Sequence, residues 1–428
     1  MKSVFFQNVC LMDDAELGRR YDVGCRQGKI SFVAPTGNGD APHSYDRLIE
    51  GRGRLLTSAF YNTHCHAAMT LFRGLGADLP LHRWLDDVIF PAERTLTAET
   101  VYIGTKLAIA EMLRAGIVSF SDMYFFTDAV AKAVAETGIK ANLARSVAIA
   151  DPDADLKNDP QIKESISLFK QWNGFDGGRI LVDMSLHAEY TNSEKSVSFL
   201  SALAGEYGTG MQIHLSETEK EHRECIERNG CTPTLFFLRN GTFEAPTTAA
   251  HGVFLTDEDR EVLVAKGVTV SHNPVSNLKL GSGIMPLYKT LASGVSVAMG
   301  TDGVASNDRL DILREMQTAL LLHKGTSPDG MALTAESMWV LGSENGAKAQ
   351  RRQKAGRVQK GYSADLLLWD LSGVRNLPAR DAFSTMMYSA ARDDLYLTMV
   401  EGHILYENGV LLTIDEEKLT DEFLRIVR

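Results

Sequence analysis

The sequence lacks several features that mark particular classes of protein. A helix needs about 18 consecutive apolar residues to cross a bilayer, and no apolar run in the sequence approaches that length. The apolar stretch at the N-terminus is too short for a signal peptide. The five cysteines are odd in number and form no CxxC pair, which argues against a disulfide framework. Excess positive charge is also absent. The net charge of −11 argues against nucleic acid or an anionic membrane as partner. We expect a cytoplasmic enzyme or binding protein for a small molecule.

One pattern repeats along the middle of the chain. A helical stretch ends in glycine, and a short apolar strand then runs into a polar residue. Eight such strands can be recognised, and they end at His64 with His66, Asp122, Arg145, His187, His214, His251, His272 and Asp302. The strands are apolar on both faces, as in a parallel sheet covered by helices. The pattern predicts an α/β fold, a (β/α)₈ TIM-like barrel, with its active site at the carboxyl ends of the strands.

The two ends of the chain have a different pattern. Residues 1–57 and residues from 356 to 428 both alternate short strands with turns, and the ENG of YENGVL is typical of a hairpin. We expect these two segments to form one small β-sandwich domain. The barrel would then occupy residues 58–355.

Histidines at the strand ends predict a metal site. His64 and His66 are two residues apart on a strand, so their side chains lie on one face. His214 and Asp302 end two further strands of the same predicted barrel. Three neutral imidazoles and one carboxylate suit a single Zn²⁺, with Fe²⁺ as the alternative, and leave a position for water. The fourth strand does not end in a lysine that could bridge two metals, which favours a mononuclear site.

A metal-activated water needs partners that move protons. Glu217 lies three residues after His214 and can reach the same site. His251 can orient the water or polarise the substrate. We expect Glu219 and Glu221 to lie on a solvated helix face. For His272, a structural role is as plausible as a functional one.

Six segments together identify a family resemblance. They are NTHCHAAMTLFRG, LHRWLDDVIFPAE, MQIHLSETEKE, AAHGVFL, SHNPVSNLKLGSG and MGTDGVASND. The chain resembles the amidohydrolase superfamily, in the branch of the 5-methylthioadenosine/S-adenosylhomocysteine deaminases and the triazine hydrolases. The resemblance implies metal ligation by His64, His66, His214 and Asp302. It also implies that Asp302 accepts a proton from water, that Glu217 shuttles a proton to a ring nitrogen, and that His251 is an orienter.

The resemblance also implies a substrate. It points to hydrolytic deamination of an adenosine-type nucleoside, with Trp84 and Glu93 flanking the nucleoside and Glu93 holding the ribose hydroxyls. Further residues match substrate-binding positions of the family: Arg145, His187, Glu217 and Ser306. Glu189 departs from the family pattern, which often has proline there, and it puts an extra acid at the pocket rim or its support. The resemblance further implies a homo-oligomer, a dimer or higher.

Two other functions remain open from the sequence. The chain can be a hydrolase of another heterocycle, of guanine, pterin or triazine type, in which case Glu93 would matter little for a free base. It can also be a catalytically dead barrel that serves as a binding or assembly module. Such modules usually lose ligands, whereas this chain keeps all four predicted ligands and Glu217.

Overall fold

The computed structural model describes residues 3–12, 17–38 and 44–427. Within those ranges, no helix is both long enough and apolar enough to cross a membrane. The strands of this part of the chain are β1 (Val4–Leu11), β2 (Tyr21–Arg26), β3 (Lys29–Pro35), β4 (Arg47–Glu50), β5 (Arg54–Ser58), β6 (Phe60–Cys65), β7 (Ile117–Tyr124), β8 (Lys140–Arg145), β9 (Ile180–Val182), β10 (Met184–Leu186), β11 (Met211–Leu215), β12 (Thr247–His251), β13 (Thr269–His272), β14 (Ser296–Met299), β15 (Leu366–Asp370), β16 (Leu395–Val400), β17 (His403–Glu407) and β18 (Val410–Leu411).

Helices occupy most of the connections. They are α1 (Leu81–Trp84), α2 (Phe90–Glu93), α3 (Ala98–Arg114), α4 (Thr127–Thr137), α5 (Pro160–Trp172), α6 (Phe175–Gly178), α7 (Glu194–Tyr207), α8 (Glu219–Asn229), α9 (Pro233–Arg239), α10 (Asp257–Lys266), α11 (Pro274–Lys279), α12 (Leu287–Ala292), α13 (Val304–Asn307), α14 (Ile312–Thr326), α15 (Ala335–Gly342), α16 (Glu344–Ala349), α17 (Ala382–Tyr388) and α18 (Glu416–Ile426). A π-helical turn, Leu85–Ile89, joins α1 to α2.

Two parallel sheets form the middle of the molecule. One has the order β6-β7-β8-β9 and the other β10-β11-β12-β13-β14, with every neighbouring pair parallel. Backbone hydrogen bonds from Thr301 N and Asp302 N to His64 O, at 3.2 and 3.0 Å, link the segment after β14 to β6. A bridge between Val147 and Leu186 links the segment after β8 to β10. The predicted α/β class with parallel strands is confirmed.

The strands are buried on both faces, as the sequence indicates. All eight residues of β7 and all six of β6 are buried. Helices pack around them and end where the sequence predicts. Gly138 and Gly267 follow α4 and α10 with φ of 86° and 64°, a left-handed conformation that glycine adopts without a steric penalty.

The strands from the two chain ends share one sheet. Its order is β18-β17-β16-β15-β5-β1-β2-β3, and β4 pairs with β1. The N-terminal and C-terminal segments meet where β5 pairs with β15 in antiparallel register. The sandwich packing and the domain boundaries at 57 and 356 stay predictions. The five cysteines are all buried, and none of them forms a disulfide.

A buried charged cluster joins this sheet to the parallel strands. The Asp365 carboxylate, just before β15, pairs with Lys140 at the start of β8. Tyr61 donates its hydroxyl hydrogen bond to Asp365 Oδ2 at 2.6 Å, and Glu401 N donates to Asp365 Oδ1 at 2.9 Å. Asp365 is 1% exposed. A buried charge needs such partners, because an unpaired one would cost several kcal/mol. The cluster therefore fixes one sheet against the other at the amino ends of the strands, away from the polar strand ends.

Candidate active site

The polar residues at the carboxyl ends of the strands converge in one place. His64 belongs to β6 and His66 follows that strand, while His214 lies in β11. His66 Nε2 is 3.3 Å from His214 Nε2. Asp302 Oδ1, three residues after β14, is 3.4 Å from His64 Nε2 and 3.3 Å from His66 Nε2. The structure thus brings together all four residues that the sequence predicts as metal ligands.

The four side chains present ligand atoms to a common point. One ligand atom each from His64, His66 and His214 lies within 4.8 Å of the other two. His66 Nδ1 donates to Met123 O at 2.8 Å, and His214 Nδ1 donates to His187 O at 2.6 Å. Because a carbonyl can only accept, both Nδ1 atoms carry the proton, and the two Nε2 atoms face each other.

This arrangement fits a cation. Two nitrogen lone pairs 3.3 Å apart repel unless a cation or a proton lies between them. His64 Nε2 is buried and makes no hydrogen bond to the described residues. Burial lowers the pKa of His64 to about 4 and that of His214 well below 6.5, so both rings are neutral near pH 7. At His66 burial also lowers the pKa, but the hydrogen bond and charge of Asp302 outweigh it and raise the pKa to about 9, so a positive charge is favoured at this point. Neutral imidazoles with a carboxylate are the ligands that a divalent transition metal prefers.

The Asp302 carboxylate is held on every side. Ser276 Oγ and Ser306 Oγ donate to its Oδ2 at 2.6 and 2.8 Å, and Gly303 N donates to its Oδ1 at 2.7 Å. The backbone of Asp302 is left-handed, with φ of 60°. For a residue with a Cβ this conformation is strained, and such strain persists where the surrounding contacts impose it. The carboxylate therefore has one fixed orientation toward His64 and His66.

Glu217 and His251 face each other beside this cluster. Glu217 Oε2 is 3.8 Å from His251 Nε2, and Ser282 Oγ donates to Glu217 Oε1 at 3.0 Å. His251, also left-handed at φ of 77°, is hydrogen-bonded through Nδ1 to Asn277 Oδ1 at 2.8 Å. Burial raises the pKa of Glu217 above its usual value. A carboxyl group whose pKa is raised can carry a proton near neutral pH.

A cavity of about 250 Å³ opens onto these groups. Of the predicted substrate-binding residues, Trp84, Glu93, His187 and Glu217 lie in its wall. Burial raises the pKa of Glu93 and lowers that of His187 to about 4. The remaining wall is largely apolar, with residues that include Met69, Leu81, Leu85, Ile89, Phe90 and Leu280.

Tyr124 is a wall residue that the sequence analysis missed. It lies at the end of β7 and is 2% exposed. Burial, and then the nearby Glu93 charge, raise the pKa of the Tyr124 hydroxyl well above its usual value. A signal was present in the sequence, because FSDMYFF places an aromatic residue at the polar end of a predicted strand.

Two predicted substrate contacts lie elsewhere. Arg145 is not in the cavity wall: its Nε donates to Glu164 Oε2 at 2.7 Å, and its guanidinium stacks 4.7 Å from the Phe125 ring centroid. Ser306 is 1% exposed and lies behind Asp302, with its hydroxyl on that carboxylate. In this structure Ser306 supports Asp302 and does not face the cavity.

The structure also corrects the prediction for Glu221. Glu219 is exposed, as expected, but Glu221 is 7% exposed rather than solvated. Its carboxylate accepts from Ser216 N at 2.9 Å and from Glu217 N at 2.7 Å. Glu221 therefore bends back over the start of α8 and fixes the turn that carries Glu217.

Glu189 and His272 lie outside the cavity wall. Glu189 Oε1 accepts a hydrogen bond from Arg228 at 2.6 Å, so this acid connects its own segment to α8. Of the two positions that the sequence left open, the pocket rim or its support, Glu189 occupies the supporting one. His272 is 1% exposed, and neither of its ring nitrogens makes a hydrogen bond to the described residues. Burial lowers its pKa to about 3, and the ring is neutral.

Comparison with known proteins agrees with this geometry. The model of the family described as "Amidohydrolase family" matches residues 55–405. A 5-methylthioadenosine/S-adenosylhomocysteine deaminase from Dictyoglomus thermophilum is 42% identical over 378 residues, 88% of each chain. A 5'-deoxyadenosine deaminase from Methanosarcina mazei is 41% identical over 425 residues, which is 99% of this chain and 97% of that protein.

Solved structures resemble the whole chain. An adenosine deaminase from Xanthomonas campestris, solved with bound zinc, superposes with a TM-score of 0.92 at 29% identity, over 99% of this chain and 97% of that one. A triazine hydrolase superposes with a TM-score of 0.91 over all of both chains, but at 20% identity this likeness concerns the fold alone.

Proposed function

Because the chain belongs to the amidohydrolase family, we propose that it is a metal-dependent deaminase of adenosine-type nucleosides. It hydrolyses the exocyclic amine of 5-methylthioadenosine, S-adenosylhomocysteine, 5'-deoxyadenosine or adenosine, and releases the inosine-type nucleoside and ammonia. The observation that carries this proposal is an identity of 39–42% to relatives named as deaminases of such nucleosides, over 88–99% of the chain.

We propose that His64, His66, His214 and Asp302 hold one divalent metal. Zn²⁺ is favoured because the similar adenosine deaminase contains zinc, and Fe²⁺ is the alternative. When bound, the ion supplies a Lewis acid that makes water acidic enough to serve as a nucleophile near neutral pH. The fixed Nδ1 hydrogen bonds of His66 and His214 support this assignment, because they leave both Nε2 atoms free to ligate.

The remaining chemistry is proton transfer by the chain's own groups. Asp302 takes one proton from the attacking water, and Glu217 protonates the ring nitrogen next to the reacting carbon. Without that proton, negative charge would build up on the ring nitrogen when water attacks, and the amine would leave slowly. The carbon–oxygen bond forms, the carbon–nitrogen bond breaks, and the two water protons end on the ring nitrogen and the departing ammonia. His251, fixed by Asn277, orients the water.

Recognition of the nucleoside falls to other residues of the same cavity wall. Glu93, with Tyr124 beside it, accepts hydrogen bonds from the two ribose hydroxyls, and Trp84 flanks the nucleoside. His187 is neutral and can donate or accept at the base. Arg145 remains close enough to Glu93 for its charge to lower the Glu93 pKa, against the larger effect of burial.

The strands that carry these residues also indicate the architecture of the chain. We infer that β6–β14 close into one (β/α)₈ barrel over residues 58–355, in which β9 and β10, separated by one residue, count as a single strand. The hydrogen bonds from Thr301 and Asp302 to His64 O connect the last strand to the first. The sheet from residues 1–57 and 356–428 is the separate small β domain.

An ammonia-release screen tests the function. Zinc-loaded protein should release ammonia from the four nucleosides named above at least about 100-fold faster than from guanine, a pterin or a triazine. The measurement is kcat/KM by coupled ammonia detection. Turnover of a free base or triazine, with none of the nucleosides, would contradict the proposal and favour the other heterocycles.

Glu93→Ala should raise KM for adenosine by about 100-fold or more. Hydrogen bonds to a charged group are worth about 1.5–3 kcal/mol each, and the variant loses two of them. Any turnover of the free base adenine should change little, because it has no ribose. Steady-state kinetics on both compounds measure the difference. Asp87→Ala is the matched control, because Asp87 is an exposed acid in the π-helical turn just before α2 and pairs with Arg83. Equal KM values for Glu93→Ala and the wild type would remove Glu93 from ribose binding.

A further inference from the structure

Glu315 is a fully buried acid that the reaction scheme above does not use. It lies in α14 and is 0% exposed. Its Oε2 accepts from Val275 N at 3.0 Å, and its Oε1 accepts from Asn307 Nδ2 at 2.7 Å. The two donors belong to different loops, 32 positions apart in the sequence. One carboxylate therefore connects the segments that follow β13 and β14.

The first of these segments carries two groups that contact the site. Val275 lies in the first turn of α11, where a backbone N–H has no partner within the helix. Ser276, the next residue, donates to Asp302 Oδ2 at 2.6 Å, and Asn277 is hydrogen-bonded to His251 Nδ1 at 2.8 Å. Holding Val275 N thus fixes the turn that presents both side chains.

The second segment carries the other hydroxyl on Asp302. Asn307 follows Ser306, whose Oγ donates to Asp302 Oδ2 at 2.8 Å. The Asn307 amide is fixed on three sides: Nδ2 also donates to Thr301 O at 2.7 Å, and Oδ1 accepts from Arg314 at 3.0 Å. Removing the Glu315 contact would free one side of this amide.

We infer that Glu315 is a positioning residue that sets the orientation of Asp302 and His251 by holding both loops. This inference rests on the proposed function, since it assumes that Asp302 and His251 act in the reaction. Burial raises the pKa of Glu315 to about 8 even though the hydrogen bonds from Val275 N and Asn307 Nδ2 lower it, so these two donors offset part of the cost of burying the acid. Such a site is uncommon for a residue that only fills space.

Glu315→Gln tests the role with little change in volume. Glutamine can accept one of the two hydrogen bonds, but its NH₂ group faces the other donor. We expect zinc-loaded Glu315→Gln to release zinc to a chelator about 10- to 100-fold faster than the wild type. We also expect kcat to fall by about 10- to 100-fold, with KM within about threefold, because the nucleoside contacts are not altered. Asn307→Ser, which breaks the same link from the other side, should move both quantities in the same direction.

Asp22→Ala is the control for losing a buried acid away from the site. Asp22 is 7% exposed and accepts two hydrogen bonds, from Asn8 N and Thr36 Oγ1, in the sheet of the chain ends. The substitution should lower Tm, whereas the rate of zinc release and kcat should stay within about twofold of the wild-type values. If Glu315→Gln and Asn307→Ser behave like this control, or raise only KM, the positioning role is overturned. Zinc release needs no substrate, so this test stands even if no nucleoside is deaminated.

Discussion

His214→Ala should fold, bind no stoichiometric metal and lose about 10⁴-fold or more in kcat/KM. His214 Nε2 lies 3.3 Å from His66 Nε2, so its removal takes away one of three imidazoles at the centre of the cluster. A metal lowers the pKa of its bound water from about 15.7 to about 7, so a site without the ion no longer provides a hydroxide nucleophile near neutral pH. Metal analysis after gel filtration, circular dichroism and ammonia release measure the three quantities.

His272→Ala is the control for removing a buried histidine from a strand end. His272 ends β13, which lies in the same sheet as β11 with β12 between them, and its side chain is buried like that of His214, but it is not in the cavity wall. This variant should keep one metal per chain. If His214→Ala retained its metal, the ligand assignment would be wrong. Wild-type protein without a stoichiometric ion would instead revive the alternative of a catalytically dead binding module.

The position of the cluster formed by His64, His66, His214 and Asp302 could be predicted because it follows from local sequence pattern. Strands that are apolar on both faces belong to a covered parallel sheet, and the carboxyl ends of such strands lie together. His64, His214 and Asp302 each end such a strand or follow it closely, so their proximity needed no knowledge of side-chain contacts. The two-residue spacing of His64 and His66 added a shared face.

The direction in which a side chain points is harder to predict. Ser306 and Arg145 lie at predicted positions, but Ser306 faces the back of Asp302 and Arg145 is engaged by Glu164. Both orientations depend on partners from other segments. Ser282, which holds Glu217, is 65 residues away from it in sequence, and Val275 is 40 residues from Glu315. A single sequence carries no local signal for such pairs.

The prediction that Glu221 lies on a solvated helix face is wrong, although the sequence around it carries a local signal for its buried position. Thr218 caps α8 by accepting from Glu221 N at 3.1 Å, so Glu221 is the third residue of the helix. A glutamate at that position can fold back onto the backbone before the helix. Here it accepts from Ser216 N and Glu217 N instead of facing water. The capping pattern, rather than the polarity of HLSETEKE, was the informative feature.

Glu217→Gln should lower kcat by about 10²–10⁴-fold, leave KM within about threefold and keep one metal per chain. The amide preserves the size of the side chain and can still accept from Ser282 Oγ, but it cannot carry a proton to the ring nitrogen. General acid–base groups contribute effects of about this size. Glu219→Gln, an exposed acid two residues further on, should have wild-type kinetics.

The leaving group separates this role of Glu217 from a merely structural one. With a 6-chloropurine nucleoside the chlorine makes the reacting carbon more electrophilic and chloride leaves readily, so attack depends less on protonation of the ring nitrogen. Glu217→Gln should therefore lose much less activity than with adenosine. A stopped assay that follows the inosine-type product from both substrates measures this ratio. Equal losses on both substrates would mean that Glu217 acts by shaping the site and not by moving the proton. A loss below about tenfold on adenosine would remove it from the proton path, and His251, 3.8 Å away across the same cavity, would be the next group to test.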